Sequence, residues 1–451
     1  MTTATHRIAT SKAIRSFVPL LLMAYFMAFV DRSNVGLAKT ALEADVGISA
    51  TAYGLGAGIF FLSYALLEIP SNLVLHRVGP RIWITRIAIT WGLLSSALMF
   101  VNSETTFYIL RFLLGAAEAG LYPALMYVVT VWFAQEDRAR VVGYILIASS
   151  LAYALGGPIG GALMTLDGTL GLHGWQWLFL IEGIPSVIIG LLIWFKLPDS
   201  PHEAKFLTAE EADALVRKAA VPAKEQIRGN LGAGFRNPVI LLVATIYFLN
   251  QVVTYGSIFF VPSVVESMGV EGSFTIGVLA GAIGVGSILG VLVFPRWLRR
   301  TGNELPLIAL ASASTVAFSA TFLLVQISAL QYLMLMLSAF MFTGVLPMFW
   351  SIAMARVSGK MAAAVLAFIN TIGLTGGFVG PYLFGIAEDL SGDPAAGLVV
   401  VLISSVISLA LTPILVRAVR RSSALTAEIP EPRASSPASD VPATQVDVEE
   451  R

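Results

Sequence analysis

The sequence predicts an all-α fold, a polytopic membrane protein of twelve transmembrane helices in two six-helix halves. Three observations carry that prediction. Of 451 residues, 57% are hydrophobic and 12% charged, against roughly 25% charged in soluble domains, and the mean hydropathy is +0.81. Apolar stretches of spanning length recur along the whole chain. The second half of the chain also echoes the first.

The stretches fall at about 16–36, 51–74, 82–101, 106–132, 141–165, 175–196, 238–262, 274–295, 305–325, 329–352, 361–385 and 397–417. Each suits a helix across a ~30 Å hydrocarbon layer. They are too long for barrel strands, and lipid forbids open sheet edges. Lys12 and Arg15 precede the first run in the manner of a signal peptide. That run continues to Asp31-Arg32 with no small-residue cleavage site, so it reads as a retained helix.

Five segments follow from this spacing: an N-terminal cytoplasmic stretch 1–15, a six-helix bundle 16–196, a linker 197–237, a second bundle 238–417 and a tail 418–451. The linker carries Pro198, Pro201 and Pro222. A short surface helix is expected over 208–220, capped by Thr208 with Glu211 three residues on. The tail is rich in Ser, Pro, Ala, Glu and Asp, a composition of disorder.

Charge placement orients the chain. One side collects Arg7, Lys12, Arg15, His76, Arg77, Arg81, Arg86, Arg138, Arg140, Arg296, Arg299, Arg300, Arg356, Lys360, Arg417, Arg420 and Arg421. The other holds Glu43, Asp45, Glu104, Asp167, Glu266, Glu271, Glu388, Asp389 and Asp393, with Lys39 as its clear base. The positive-inside rule then places both termini in the cytoplasm.

The halves repeat. GGPIGGAL at 156–163 answers GGFVGPYL at 376–383, and Arg140 and Lys360 each lie sixteen residues upstream of them. Pro123 and Pro347 hold similar places in the fourth and tenth helices. Two bundles related by rotation suit alternating access through rocking of one half on the other.

Against this apolar background the stretch RFLLGAAE, from Arg111 to Glu118, stands out. Its two charges are two helical turns apart, on nearly one face and roughly 10 Å along the axis. Charges at such depth ordinarily face a protein-lined or watery cavity. Asp31-Arg32 on the first helix is expected in the outer half of the membrane or at its outer edge, at comparable depth. Arg32 and Arg111 offer donor forks suited to a carboxylate, while Glu118 and Asp31 are the candidate proton carriers. Ion pairs Asp31–Arg111 or Arg32–Glu118 are the structural alternative. Tyr25, Tyr64, Trp350 and Asn370 are further candidates to line the cavity, as are Gln251 and Tyr255. Glu68 reads as a gate or structural group near the end of helix two, and Glu182 as an outer-edge or interhelical pair.

Several classes are excluded. No P-loop and no strand-borne GxGxxG is present, so the glycine clusters read as close helix packing rather than nucleotide binding. The absence of Cys removes thiol chemistry, and His6, His76, His173 and His202 are scattered without metal-ligand spacing. With 28 basic and 28 acidic residues the balance gives no nucleic-acid signal. No enzyme and no cofactor is expected.

DRSNVGLA at 31–38, EIPSNLVLHRVGPRIWITR at 68–86, RFLLGAAEAGLYP at 111–123, WFAQEDRAR at 132–140, GWQWLFLIEGIP at 174–185 and FINTIGLTGGFVGPYLFG at 368–385 together resemble the major facilitator superfamily. Within it they resemble the anion:cation symporter family of bacterial organic-anion permeases. The resemblance implies a monomeric inner-membrane protein that couples protons to uptake of tartrate-like, sugar-acid or aromatic carboxylates. It implies that Arg32 and Arg111 meet the anion and that Asp31 and Glu118 couple the proton. Three departures matter. The loop between helices two and three keeps Arg77, Gly79 and Arg81 but lacks the superfamily's usual acidic residue, with His76 nearby. Ala124 stands where relatives often carry glycine, and Leu374 where they often carry asparagine. Leu374 makes that position less polar and favours an apolar or aromatic carboxylate over tartrate.

Overall fold

The computed structural model describes residues 3–219, 236–354 and 359–427. Among these residues, twelve helical spans are long and apolar enough to cross a membrane. Arg356, residues 220–235 of the linker and residues 428–451 lie outside the described residues, as does the side chain of Lys360.

An outlying helix, α1 (Thr3–Ser16), leads into α2 (Val18–Val46), α3 (Ala50–Val78) and α4 (Pro80–Ala97). The fourth apolar stretch is two helices, α5 (Glu104–Glu118) and α6 (Leu121–Trp132), followed by α7 (Gln135–Met164) and α8 (Gly174–Lys196). The short α9 (Ala209–Ala219) precedes α10 (Pro238–Ser267), α11 (Ser273–Thr301) and α12 (Glu304–Leu324). The tenth stretch is again split, into α13 (Ser328–Gly344) and α14 (Leu346–Met354). It is followed by α15 (Gly359–Ser391) and α16 (Gly397–Ala427).

The packing repeats as the sequence does. In the first half α2 lies on α7 and α8, α3 on α5, and α4 on α8. In the second half α10 lies on α15 and α16, α11 on α13, and α12 on α16. Between halves, α3 meets α15 and α7 meets α11, a reciprocal pair, and α2 meets α10. The repeated glycine motifs sit on these seams. A Cβ on Gly157 would lie 2.2 Å from the carbonyl oxygen of Gly277, and one on Gly277 equally close to that of Gly157. The two backbones touch directly, so only glycine fits.

The end of the bundle that carries α1 and α9 is termed proximal, the opposite end distal. At the proximal end Lys12 meets Glu211 at 2.7 Å and Lys218 meets Glu136 at 3.0 Å. The Lys12 ammonium holds the Glu211 carboxyl below the usual carboxylate range. The expected cap is present, with the Glu211 backbone N–H on Thr208 Oγ1 at 3.3 Å and the Thr208 N–H on the Glu211 carboxylate at 2.9 Å. The fold also brings the scattered His6 to 3.8 Å from Asp137, beside Glu136. Burial, then the Lys218 charge, lowers the His6 pKa.

Three expectations need correction. Helix one does not end soon after Arg32; α2 runs on to Val46, so Asp31 and Arg32 lie at its midpoint rather than at an edge. Lys39 is no loop base but is buried at 2% exposure. The fourth helix is not continuous: Gly120 adopts φ 91°, ψ 2° between α5 and α6. The break frees backbone groups at membrane depth, where each needs an internal partner. Ser71 of α3 supplies one, its hydroxyl donating to the Ala119 carbonyl at 2.7 Å while accepting from the Trp83 indole at 2.9 Å. Pro123 and Pro347 sit in the first turns of α6 and α14, where the missing N–H costs nothing.

Gly120→Ala should therefore destabilise the protein. A left-handed non-glycine residue costs about 1–2 kcal/mol, and its Cβ would also fall 2.2 Å from Ser71 Oγ. Thermal unfolding in detergent measures it. Gly143→Ala is the control, because nothing lies within 4 Å of that Cβ and it should melt at or above wild type.

Candidate functional site

Four charged side chains gather at mid-depth in the first half. α2 supplies Asp31 and Arg32, which are consecutive and so point to different sides of one helix. α5 supplies Arg111 and Glu118, both fully buried at 0% exposure. Arg32 hydrogen-bonds and ion-pairs with Glu118. Glu118 is the last residue of α5, just before the break. A carboxylate at a helix C-terminus faces the negative end of the helix dipole, so the position depends on Arg32. The second Glu118 oxygen, Oε2, is buried without a partner.

Arg32 is set in an aromatic collar. Its guanidinium carbon lies 5.1 Å from the Phe29 ring centroid, 5.3 Å from Phe60 and 5.1 Å from Tyr64. Such faces attract a cation without neutralising it. The collar extends to both halves: Phe29 packs on Tyr153 of α7 at 5.4 Å, and Phe61 on Tyr255 of α10 at 4.2 Å. Arg32 keeps 12% of its side-chain surface exposed.

Arg111 is sealed more tightly. It lies 4.9 Å from the Phe60 ring and 5.9 Å from Phe259, and one nitrogen reaches the Ala57 carbonyl at 3.4 Å. Its Nε and Nη1 are buried without partners. Asp31 accepts a hydrogen bond from Ser95 of α4, and no ion pair joins it to Arg111 among the described residues. Of the two expected pairings, Arg32–Glu118 is the one formed directly. Asn34, one turn along α2, donates to Glu182 of α8, so Glu182 is an interhelical group.

The other expected residues divide. Tyr64 and Tyr25 belong to this region, Tyr25 packing on Phe29 at 4.8 Å and on Tyr122 at 5.7 Å. Trp350 and the half-buried Asn370 lie in the second half, Trp350 against Tyr247 at 5.4 Å. Neither has a described contact with the Arg32 collar. Gln251 is buried and Tyr255 reaches the collar through Phe61. Sequence reading missed Ser95, Tyr153, Phe60 and Phe61 as neighbours of the charges. A hydroxyl or ring in an apolar helix carries no signal of its own. Positions spaced at three or four from Tyr64 on α3, namely Phe60 and Phe61, were the available clue.

Further toward the distal end, Lys39 of α2 meets Glu388 of α15 at 2.6 Å, with 2% and 9% side-chain exposure, and Glu43 lies 3.6 Å away. Asp389 accepts from the Ala50 and Thr51 amides at 3.2 and 2.8 Å, and Thr40 meets Glu266 at 2.8 Å. Apart from Lys39–Glu43, which lies within α2, all these contacts cross between the halves. Those at Gly157/Gly277, Gly54/Pro381, Gly58/Phe378 and Gly36/Phe259 do so too. Each falls in the distal half of its helices. The distal side of the charged cluster is thus closed by an ion pair and by backbone packing.

Comparison with known proteins places the chain. A family model described as Major Facilitator Superfamily matches residues 21–381. An Agrobacterium vitis protein provisionally named a tartrate transporter is 39% identical over 409 residues, 89% of each chain. The inner membrane transport protein RhmT of Escherichia coli K12 is 38% identical, covering 84% of this chain and 89% of its own. A quinolone resistance transporter of Acinetobacter baumannii is 34% identical, covering 92% and 96%. In fold, the chain is similar to a crystal structure of a bacterial homologue of the human lysosomal transporter Spinster in an inward-facing, occupied conformation. The TM-score is 0.71 at 17% identity, over 91% of this chain and 97% of that one.

Removing one partner of the distal pair strands a buried charge, at a cost of roughly 3–5 kcal/mol. Lys39→Met should therefore open the distal seam. The chain has no native Cys, so Val35→Cys, at a position 0% exposed, can report with an impermeant maleimide. Labelling should be slow in the Val35→Cys protein and faster after Lys39→Met. Adding Glu388→Gln to Lys39→Met should return most of the protection.

Proposed function

The chain belongs to the major facilitator superfamily, and from that membership we propose that it is a proton-coupled symporter importing a small organic carboxylate by alternating access. It is not an enzyme. The reading places the chain in a bacterial inner membrane with the proximal end, and both termini, in the cytoplasm. It also keeps the six-helix halves, 16–196 and 238–417, as the units that rock. The names of the tartrate-related relative and of the inner membrane protein RhmT support substrate class and location.

One observation carries the coupling. Glu118 occupies the guanidinium of Arg32, the donor fork that an incoming carboxylate would need. The two carboxylates compete. A proton on Glu118 removes its charge, frees Arg32 and lets the anion take its place, so proton and anion load together. When the proton leaves, Glu118 reclaims Arg32 and expels the anion. In this scheme Arg111 supplies a fixed positive field and Asp31 accepts a second proton or relays the first. Tyr25 and Tyr64 line the near wall, and Trp350 and Asn370 come from the second half to complete the site. The distal closure leaves the proximal side as the route of release.

The aromatic collar favours a substrate with an apolar or aromatic body. Phe29, Phe60, Phe61, Tyr64, Tyr153 and Tyr255 offer ring faces, and Leu374 packs against the apolar core. Tartrate would leave two hydroxyls to be matched by few polar partners. The relative named a quinolone resistance transporter supports a second reading as exchanger or efflux carrier. Counterflow separates the two, because an obligatory exchanger moves little without internal substrate.

Two outcomes are expected. In a thermal-shift panel of tartrate, gluconate and 4-hydroxyphenylacetate, the aromatic acid should stabilise the purified protein most, and its affinity should weaken as pH rises. In proteoliposomes, uptake of the labelled acid should follow an inward proton gradient. Glu118→Gln should keep counterflow but lose the response to the gradient. Arg32→Gln should lose both, by at least 100-fold, the loss of a charge-assisted fork of roughly 3 kcal/mol. Unchanged gradient dependence in Glu118→Gln would sink the coupling scheme.

A further inference from the structure

Far from the charged cluster, a groove of about 720 Å³ opens between the start of α12 and the last turns of α16. Its walls are Leu305, Pro306, Ala309, Leu409, Pro413 and Val416, and its proximal lip carries Arg417 and Arg420. The order of these residues along α16 is informative. Leu409 and Pro413 lie within the spanning helix, while Arg417 and Arg420 lie in the final turns of the span that ends at Arg421. At 1.5 Å per residue the groove runs roughly 16 Å from apolar floor to basic lip. It is an apolar slot whose positive charge sits where membrane meets water.

The other polar groups of the lining are already engaged. The Asn303 side chain caps the Leu305 amide at 3.0 Å. Glu304 accepts from the Ser351 hydroxyl at 2.7 Å. Thr412 donates to the Ser408 carbonyl at 2.9 Å. Arg417 and Arg420 are exposed and have no acidic partner among the described residues. Set against the single Glu304 carboxylate of the lining, the two guanidinium groups leave the groove a net positive charge and its free donors.

We propose that this groove is a binding site for one anionic phospholipid, its phosphate held by Arg417 and Arg420 and an acyl chain laid along Leu409, Pro413 and Ala309. Charge complementarity and the depth order select this occupant. A free phosphate would use the lip and leave the apolar slot bare, and a zwitterionic lipid would gain little from two cations. The site is independent of the transported substrate, so it stands or falls apart from the transport reading.

Native mass spectrometry of the full chain, delipidated and titrated with phosphatidylglycerol or phosphatidylcholine, tests it. One phosphatidylglycerol should be retained per chain, in preference to phosphatidylcholine. The double change Arg417→Gln and Arg420→Gln should weaken retention about 30-fold, the effect of two basic residues at a membrane surface. Ala309→Trp, which fills the slot without touching the charges, should weaken it as well. This variant keeps the test open if the arginine pair proves necessary for folding. Equal retention of both lipids, or retention unaltered in a folded variant of either kind, would overturn the proposal. So would displacement of the lipid by glycerol 3-phosphate alone, which would mark an anion site at the lip only.

Discussion

The ion pair between Arg32 and Glu118 is the interaction on which the rest of the first half depends. Two opposite charges removed from water at mid-membrane are costly apart and tolerable together. That requirement fixes the rotation of α2 against α5. It also explains the unusual seat of Glu118 at the end of a broken helix. A carboxylate there has one strong partner and one oxygen left open, so it is held but not saturated. The aromatic collar completes the arrangement by shielding Arg32 from solvent without offering a competing negative charge.

The four central charges were legible in the sequence because nothing else in those apolar runs resembles them. The membrane architecture was legible for the same reason, and the repeated glycine motifs marked the seams where the halves touch. Depth was less legible. Charge topology assigns any ionisable residue near the end of an apolar run to a loop, and so it set Lys39 and Glu388 outside. The helices continue past the apolar stretch, and these two residues neutralise each other inside. The break at Gly120 was hidden because Gly-Leu-Tyr-Pro is apolar enough to be absorbed into one span. Only the αL conformation and the Ser71 hydroxyl waiting beneath Ala119 reveal it.

The two halves divide their chemistry unequally. The charges and polar groups that meet at mid-depth come from α2, α4, α5 and α8, all in the first half, while the second half contributes rings, through Phe259 and Tyr255. The repeat in packing is therefore not a repeat in chemistry. A shared scaffold carries an electrostatic wall on one side and an apolar wall on the other. Substrate class can shift through residues such as Leu374 without disturbing the pair that links charge to charge.

The distal gathering of inter-half contacts has a mechanical consequence. Two bodies joined near one face of a bilayer and hinged there occupy different areas in its two leaflets. Exchanging which face is open would swap those areas, doing work against the lateral pressure of the surrounding chains. The glycine seam, with backbone set directly on backbone at Gly157 and Gly277, gives that rotation little internal resistance. The balance between open faces then rests partly with the membrane itself, so that leaflet tension and lipid shape act on the protein as surely as any solute.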